Sequence, residues 1–263
     1  MTSALDSMQP TNSMNVATTQ ASSLASFIES FPLHGESLYT TVFDRNSEII
    51  QTQKAHVAVV NLEKILSATF EVSATSGFDR MSLRDLSRQT GMSMGSIYSC
   101  ISKKEDIALM VADIVGLASE LTHEHAMRCD SLWSKIEQSI RFHLFASTLL
   151  QPWYFFLYFE TRCLPEAQQR ESKKIELDGI KSFETQIQAG IDAGVFYTDD
   201  PRMIANTIVV LLEDWYLKPW KTLSPWKAGI SVEQQEKQIN NYSQSIINLV
   251  RKQLAISGLE NSS

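Results

Sequence analysis

Cysteine is scarce in this sequence, and its spacing matches none of the common cysteine sites. The 263 residues include only three cysteines, Cys100, Cys129 and Cys163. An odd number of widely separated cysteines without a C-x-x-C pair provides neither a disulfide framework nor the usual spacing of a zinc site. We therefore expect free thiols in a reducing compartment, the cytoplasm, and no metal or other cofactor.

Long apolar runs and early basic residues are also lacking. The most apolar run, residues 149–159, is shorter than the roughly 18 to 20 residues of a membrane-spanning helix, and Gln151 and Pro152 interrupt it. The first basic residue is Arg45, so the N-terminal region has neither the basic start of a secretory signal nor the arginines of a transit peptide. These absences predict a soluble protein without a membrane partner.

Glycine and proline are few, with 10 and 7 residues, whereas 43% of the chain is hydrophobic, and this composition is typical of a compact helical protein. The net charge of −7 is unevenly distributed. Residues 54–107 hold seven Lys or Arg and six Asp or Glu, so the rest of the chain carries −8. Phosphate binding depends on where the cations lie rather than on their total, so DNA binding remains compatible with an acidic chain.

The first of three closely spaced helix-start signals is Ser82. Ser82 followed by Asp85 has the form of a capping box, in which each side chain bonds the backbone N–H of the other residue. A helix is therefore predicted from Leu83. Gly91 predicts its end, since glycine readily adopts the left-handed conformation that follows many helices.

Two further helix starts follow at once. Ser93 predicts the cap of a short helix over residues 94–98, and Ser102 with Glu105 repeats the capping-box pattern before a third helix. A helix, a tight glycine turn and a short second helix are the elements of a helix-turn-helix motif. In that motif the second helix enters the major groove of DNA.

These residues carry a family resemblance. The run GMSMGSIY at residues 91–98, followed by Ile101, Lys104, Glu105 and Ile107, resembles the head of TetR/AcrR-type transcriptional regulators. The preceding helix fits as well, with small and large apolar residues before an aromatic-glycine corner: Ile65, Leu66, Ala68, Phe70, Gly77 and Phe78. The resemblance implies an all-α fold with an N-terminal three-helix, helix-turn-helix DNA-binding head and a larger helical body for ligand binding and dimerisation.

The expected domains are a flexible polar arm at residues 1–53, the DNA-binding head at 54–104, the effector-binding and dimerisation body at 105–257, and a flexible tail at 258–263. Within the arm, residues 23–31 can alternatively form a short amphipathic helix that Pro32 ends and that docks on the body or on a partner. The last two long helices, over residues 202–217 and 231–256, retain apolar stripes that can pair in a homodimer.

The resemblance also implies which residues meet DNA. Met94 and Ser96 would lie at base edges, and Gly95 would permit a close approach. Phosphates or the adjacent backbone would be met by Ser82, Ser93, Tyr98 and Lys104. A two-fold dimer would place its recognition helices roughly 34 to 36 Å apart on a pseudo-palindromic, double-stranded operator. Met94 stands where the family often has a basic residue, and Ser99 to Ile101 replaces a common aromatic run, so base preference does not transfer.

Two other functions fit parts of the sequence. Residues 91–95 also match G-x-S-x-G, which in serine hydrolases makes the serine, here Ser93, a nucleophile at the end of a buried strand. The preceding segment is capped and charged, which favours a helix, so no catalytic residue is expected. A helical ligand-binding or adaptor protein without DNA binding is the other alternative.

The body contains a helix with aromatic residues on every side. Such a helix is either plain core or one wall of a cavity for an apolar ligand. The candidate effector-binding residues are Trp153, Phe156, Tyr158, Arg162 and Trp215. We expect a small apolar or aromatic effector, with an acyl-CoA as one option, whose acidic group Arg162, Arg141 or His143 would bind. The predicted function is a repressor that leaves its operator when this effector binds.

Overall fold

The computed structural model describes residues 23–52, 54–163, 166–221 and 229–254. Across these ranges the regular structure is helical, and no strand occurs in them, as the sequence predicted. The eleven α-helices are α1 (Leu24–Ser30), α2 (Gly35–Arg45), α3 (Ala55–Ser76), α4 (Leu83–Thr90), α5 (Met94–Tyr98), α6 (Lys104–Met127), α7 (Leu132–Leu149), α8 (Gln151–Phe159), α9 (Glu166–Asp192), α10 (Pro201–Leu217) and α11 (Val232–Gln253). A 3₁₀ turn at Thr161–Cys163 separates α8 from α9.

Helices α3, α4 and α5 form the three-helix head. Helix α3 packs against both short helices, and these also pack on each other. Leu62 and Leu66 of α3, Leu86 of α4 and Ile97 of α5 are all fully buried in the core. Because each short helix is anchored through a buried aliphatic residue, the exposed side of α5 has a fixed orientation.

Helix α6 joins the head to the body formed by α6–α11. Its buried residues Ile107, Val111, Ile114 and Ala118 recur every three or four positions, which gives a continuous apolar face. Helix α7 lies at the centre of the body, where it packs against α6, α8, α9, α10 and α11. The long helix α9 also packs on α6 and α10.

The N-terminal segment, residues 23–52, differs from the flexible arm that was predicted. Ser23 caps α1 by accepting from the N–H of Ser26, and Leu24 and Phe27 are buried. Helix α1 packs on α7 and α11, whereas α2 packs along α3. The alternative of a short helix ending before Pro32 is therefore confirmed. Residues 1–22 of the predicted arm and the predicted tail at 258–263 lie outside the described residues.

Aromatic packing explains why this segment is ordered. The Phe27 ring lies 5.8 Å from that of Phe142 and 5.4 Å from that of Phe145, both on α7, and 4.7 Å from Phe31. Burial of such rings contributes about 1.5 to 3 kcal/mol each, which offsets the ordering of a short helix. The apolar spacing of residues 23–31 is visible in the sequence, but the polar composition of the whole arm favours disorder and outweighed it in the prediction.

None of the helices in the described ranges combines the length and apolar character that crossing a bilayer requires. Among the described residues, no group of three or more His, Cys, Asp or Glu side chains is placed to bind a metal ion.

Candidate functional site

The predicted capping box of α4 is present. The Ser82 hydroxyl accepts from the Asp85 N–H at 3.3 Å, and the Asp85 carboxylate accepts from the N–H and the hydroxyl of Ser82 at 2.9 and 2.7 Å. These bonds from Ser82, with the charge of Arg88, hold the pKa of Asp85 below its usual value. The start of α4 is thereby fixed at an exposed serine, which has been predicted to meet DNA.

The turn between α4 and α5 also follows the sequence pattern. Gly91 has a φ of 69°, in the left-handed region that disfavours side chains with a Cβ. The hydroxyl of Ser87 donates to the Met92 carbonyl at 2.6 Å and ties α4 to the turn. Ser93 then caps α5, since its hydroxyl accepts from the N–H of Ser96 at 3.1 Å. Both predicted caps and the glycine turn are confirmed.

Helix α5 presents the predicted contact residues on its open side. Ser93 and Gly95 are exposed, Met94 and Ser96 are half-buried, and 46% of Tyr98 is accessible. A Cβ built on Gly95 would meet only the Ser93 hydroxyl, at 3.8 Å. The fold itself therefore does not require glycine here, whereas a partner that approaches the backbone closely would.

Lys104 binds the protein rather than projecting from it. Its ammonium group donates to the carbonyl oxygens of Asp79, Phe78 and Met81 at 2.6, 3.2 and 3.3 Å, and it lies 5.4 Å from the centre of the Phe78 ring. All three N–H donors thus face carbonyls of the turn between α3 and α4. A phosphate contact by Lys104 stays a prediction, and in the structure this residue holds that turn on α6.

The start of α6 differs from the predicted Ser102 cap. Asp106 is buried, and its carboxylate accepts from the backbone N–H groups of Ser102 and Lys103 at 2.8 and 3.0 Å. The acid that closes this helix start is therefore one residue later than Glu105. Lys103 remains exposed, as do Arg80, Arg84 and Arg88, and these are the accessible cations around α4 and α5.

Two contacts of the head were not foreseen. The N–H groups of Gln51 and Thr52 donate to the Ser99 carbonyl at 3.0 and 3.2 Å, so the N-terminal segment binds the C-terminal end of α5. The N–H of Phe78 donates to the Glu160 carboxylate at 2.7 Å, which joins the head to the end of α8. Such pairings between distant positions leave no local signal in a single sequence.

The G-x-S-x-G match does not form a nucleophile elbow. Helix α4, rather than a strand, leads into residues 91–95. The Ser93 hydroxyl is engaged as the cap of α5 and lies 2.9 Å from the Ser96 hydroxyl. The strand-to-turn geometry that exposes and activates a nucleophilic serine is therefore replaced by a helix-to-helix turn.

A cavity of about 960 Å³ lies in the body between α6, α7, α8, α9 and α10. Aliphatic side chains from four of these helices form much of its wall, including Val115, Leu157, Ile175 and Leu212. This size and apolar lining are typical of a site for a small organic ligand.

Aromatic and polar groups form one part of the cavity wall. The Tyr154 ring lies 5.6 Å from the ring of His143 and 5.0 Å from that of Tyr216. Burial lowers the pKa of His143 to about 4, so this imidazole is neutral at physiological pH. Burial also raises the pKa of Tyr154 and that of Tyr216. The negative charge of Glu213 raises the pKa of Tyr216 further.

Two buried ring and amide nitrogens at the cavity have no hydrogen-bond partner among the described residues. They are Nε2 of His143 and Nε2 of Gln186. Gln186 is only 6% exposed, and its other amide atom accepts from the Ser139 hydroxyl at 3.3 Å. The hydroxyl of Ser119 donates to the Val115 carbonyl at 3.1 Å and lies beside the Tyr154 hydroxyl, with which it forms a side-chain hydrogen bond. Buried polar atoms without partners are unfavourable unless a ligand or water satisfies them.

Glu213 contributes a carboxylate to the same cavity. Its side chain is half-buried, and burial together with the charge of Glu176 raises its pKa to about 7. The adjacent Asp214 behaves differently, since it pairs with Lys218 and Lys221 at 2.9 and 2.8 Å. The two neighbouring acids of α10 thus separate into one that faces the cavity and one that is neutralised outside it.

Only one of the five predicted effector-binding residues, Tyr158, lines this cavity. Trp153 packs near Phe70, with ring centres 5.4 Å apart, and Phe156 packs on Phe78 at 4.9 Å. The other two also point elsewhere: Arg162 is exposed over the Phe159 ring, and buried Trp215 donates to the Thr148 hydroxyl at 2.9 Å.

Helical geometry explains this correction. Successive residues of a helix are about 100° apart, so the faces of α8 that carry Trp153 and Phe156 turn toward α3, while Tyr154, Leu157 and Tyr158 turn toward the cavity. The sequence prediction named residues of α8, which does line the cavity, but the sequence could not show which face of the helix does so. Of the residues proposed to bind an acidic group, His143 lines the cavity, whereas Arg141 donates to Asn240 and Gln244 of α11.

Comparison with known proteins finds solved structures with a similar fold, whereas the sequence comparisons find no match. No family model matches this sequence, and no curated protein matches it. A regulatory protein of the TetR family from Rhodococcus RHA1 is 18% identical with a TM-score of 0.59, and the match covers 76% of this chain and 98% of that one. The TetR-family regulator PfmR from Thermus thermophilus is 15% identical with a TM-score of 0.58, covering 70% and 97%.

The transcriptional regulator FadR from Bacillus subtilis, solved in complex with stearoyl-CoA, is also similar. It is 18% identical with a TM-score of 0.54, and the match covers 75% of this chain and 98% of that one. In all three cases nearly the whole of the known structure is matched. The chain therefore has the fold of the TetR-family transcriptional regulators.

Proposed function

We propose that this protein is a DNA-binding transcriptional regulator, a repressor that leaves its operator when a small ligand enters the cavity of the body. The observation that carries this proposal is the exposed, doubly capped helix pair α4 and α5, which is anchored on a buried core and bordered by Arg84, Arg88 and Lys103. This arrangement is what a major-groove reader needs.

The expected division of roles at DNA follows from residue chemistry. Met94 offers an apolar contact, for which a thymine methyl group is suitable, and Ser96 can exchange hydrogen bonds with a base edge. Ser82, Ser93 and Tyr98 can donate to phosphates, and exposed arginines add salt-dependent attraction. Lys104 would contribute a phosphate contact only by giving up carbonyl contacts within the head.

The partner proposed for dimerisation is a second copy of this chain. Helix α10 exposes Met203 at 59% and Val210 at 52%, and α11 exposes Leu249 at 41%. Apolar side chains on two adjacent helices favour an isologous contact with the same pair in a second copy. The resulting dimer would bind a pseudo-palindromic operator with both recognition helices.

The proposed effector is a small, largely apolar or aromatic molecule. The volume and aliphatic wall of the cavity support this class, and His143, Tyr154 and Gln186 offer polar groups that can orient it. Because α6 both lines the cavity and carries the head, a ligand that shifts α6 would change the separation of the two heads in a dimer. DNA and effector would then weaken each other reciprocally.

Selection of binding sequences from random duplexes with the full chain, followed by a salt titration, tests the DNA-binding proposal. We expect one enriched pseudo-palindrome, and Tyr98→Ala should weaken its binding by about tenfold. Tyr197→Ala is the matched control because Tyr197 is 59% exposed on the body. If no sequence is enriched and no duplex is retained at low salt, the protein is better explained as a helical ligand-binding or adaptor protein.

A further inference from the structure

The carboxylate of Glu213 lies at the cavity without a cationic partner. It lines the cavity from α10, one helical turn before Tyr216, and forms neither a hydrogen bond nor an ion pair with any described residue. Two basic residues at the same cavity already form ion pairs with other acids: Arg45 pairs with Asp113, and Lys181 pairs with Glu184. Lys135 and Lys174 also border the cavity, but neither of them pairs with Glu213.

The surroundings of Glu213 add aromatic surfaces and a second negative charge. The rings of Tyr154 and Tyr216 lie 5.0 Å apart and are inclined by 54°, so they present two differently oriented π surfaces to the cavity. Tyr158 also lines this cavity, and the Glu176 carboxylate lies near enough to Glu213 for its negative charge to act on that group. The negative faces of aromatic rings attract cations, and a nearby carboxylate strengthens that attraction.

A charged ligand would be discriminated here by its sign. An anion at this part of the cavity would lie beside two carboxylates, which is unfavourable. A cation would instead compensate a carboxylate that is already half-buried and unpaired. The unsatisfied amide of Gln186, which is buried, shows independently that this cavity is built for an occupant with polar groups.

We propose that the cavity binds a lipophilic cation, an aromatic amine or onium compound, with its positive charge beside Glu213 and its apolar groups against Tyr154 and Tyr216. This deepens the proposed function, because the cation would be the effector, but the binding step does not depend on DNA. A ligand of this class differs from the stearoyl-CoA bound by the FadR structure, whose phosphates are anionic.

Two ions of nearly the same size and opposite charge provide the test. Tetraphenylphosphonium and tetraphenylborate would each be titrated into the full chain by calorimetry in the absence of DNA. We expect the phosphonium to bind at least about tenfold more tightly than the borate. Glu213→Gln should remove most of this preference, whereas the same substitution at exposed Glu124, which does not line the cavity, should leave it unchanged.

Equal affinity for the two ions, or a preference for the borate that persists in Glu213→Gln, would overturn the proposal. Tighter binding of a long-chain acyl-CoA than of the phosphonium would instead assign an anionic effector. Phosphonium binding without selective DNA binding would leave the cavity proposal standing and refute the proposed function. A thermal melt of each variant separates lost binding from lost folding.

A second inference rests on the N-terminal segment, which contacts the body, the cavity border and the recognition helix. Phe27 packs on α7, and the Arg45 guanidinium donates two hydrogen bonds, at 2.7 and 2.5 Å, to the Asp113 carboxylate on α6. Arg45 and Asp113 both line the cavity. The backbone of Gln51 and Thr52 then binds the end of α5 at Ser99.

We infer that this segment positions the recognition helix according to the place of α6 at the cavity. A bidentate Arg–carboxylate pair fixes orientation as well as distance, so a displacement of Asp113 moves the end of α2. Only the short connection after Arg45 separates that end from the residues that bind Ser99. The head is therefore linked to the cavity in two ways: along the chain through α6, and through the ion pair of α2 with α6 and the hydrogen bonds at Ser99.

Hydrogen exchange of the full chain tests this route without a ligand. Arg45→Met should speed exchange of the amides over residues 94–101 by at least about fivefold, because loss of the pair loosens the segment that binds Ser99. Arg202→Met removes another surface ion pair, to Glu184, and should leave those amides unchanged. Unchanged exchange in Arg45→Met, or an equal rise in both variants, would refute the inference.

Discussion

Replacing Glu213 by glutamine should stabilise the protein, and the gain should depend on pH. The pKa of this carboxyl rises from 4.5 to about 7 on folding, with burial as the main cause and Glu176 as the second. Below the lower value both states are protonated, so folding carries no penalty. As the pH rises from about 4.5 to about 7, the unfolded state ionises while the folded state still holds its proton, which favours the unfolded state. Stability is therefore lost as the pH rises through this window.

The size of the effect follows from the same shift. Each pKa unit corresponds to about 1.4 kcal/mol, which gives an upper bound of roughly 3 kcal/mol. Because the Glu213 side chain is half-buried, water screens part of this penalty and a gain of about 2 kcal/mol is more realistic. Glutamine keeps the shape of the side chain and has no charge, so it should avoid the penalty.

Urea unfolding of the two proteins at matched concentration would measure this difference. The variant should be more stable by about 2 kcal/mol near pH 8 and by only a few tenths near pH 4.5. A gain of the same size at both pH values would show that packing, rather than ionisation, is responsible. No gain near pH 8 would refute the assignment of a raised carboxyl pKa to the cavity.

Three further substitutions test other parts of the structure. Ser82→Ala removes the cap of α4 and should cost about 1 kcal/mol in urea unfolding, with weaker retention of DNA; a neutral result would contradict the capping role. Gly91→Ala forces a Cβ into a left-handed conformation and should lower stability by about 1 kcal/mol although no atom crowds the site; unchanged stability would refute this. His143→Gln should reduce acid sensitivity, because burial lowers the His143 pKa from 6.5 to about 4 and stability is lost as the pH falls through that range; identical unfolding curves at about pH 5 would contradict it.

The head was the part of the fold most open to prediction, because its signals are local. The caps at Ser82 and Ser93 and the turn at Gly91 each depend on residues within a few positions of one another, and all three are present. Lys104 was harder to place. The family resemblance implied a phosphate contact, but the partners of this residue in the structure are the carbonyls of Phe78, Asp79 and Met81, about 25 positions away, which only the folded chain brings together.

The cavity was predictable only as far as its helices. An aromatic run marks α8 as buried, yet its composition does not show whether Trp153 or Tyr154 faces an internal space. That choice depends on how α8 turns between α3 and α6, which is a matter of tertiary packing. For the N-terminal segment, the amphipathic spacing of Leu24, Phe27 and Phe31 indicated a helix, but their partners on α7 are more than 100 positions away and left no local signal that the helix would be held in place.

The packing of the N-terminal segment on both head and body also bears on how the protein unfolds. A boundary at residue 104 separates head from body in the sequence, but α2 packs along α3 while α1 packs on α7 and α11. Melting of the head would expose the buried Leu38 and Val42 of α2, and release of α1 would uncover Phe142 in the body. Because the N-terminal segment packs on both parts, loss of structure in the head or release of α1 uncovers apolar surface elsewhere, and we expect head and body to unfold together.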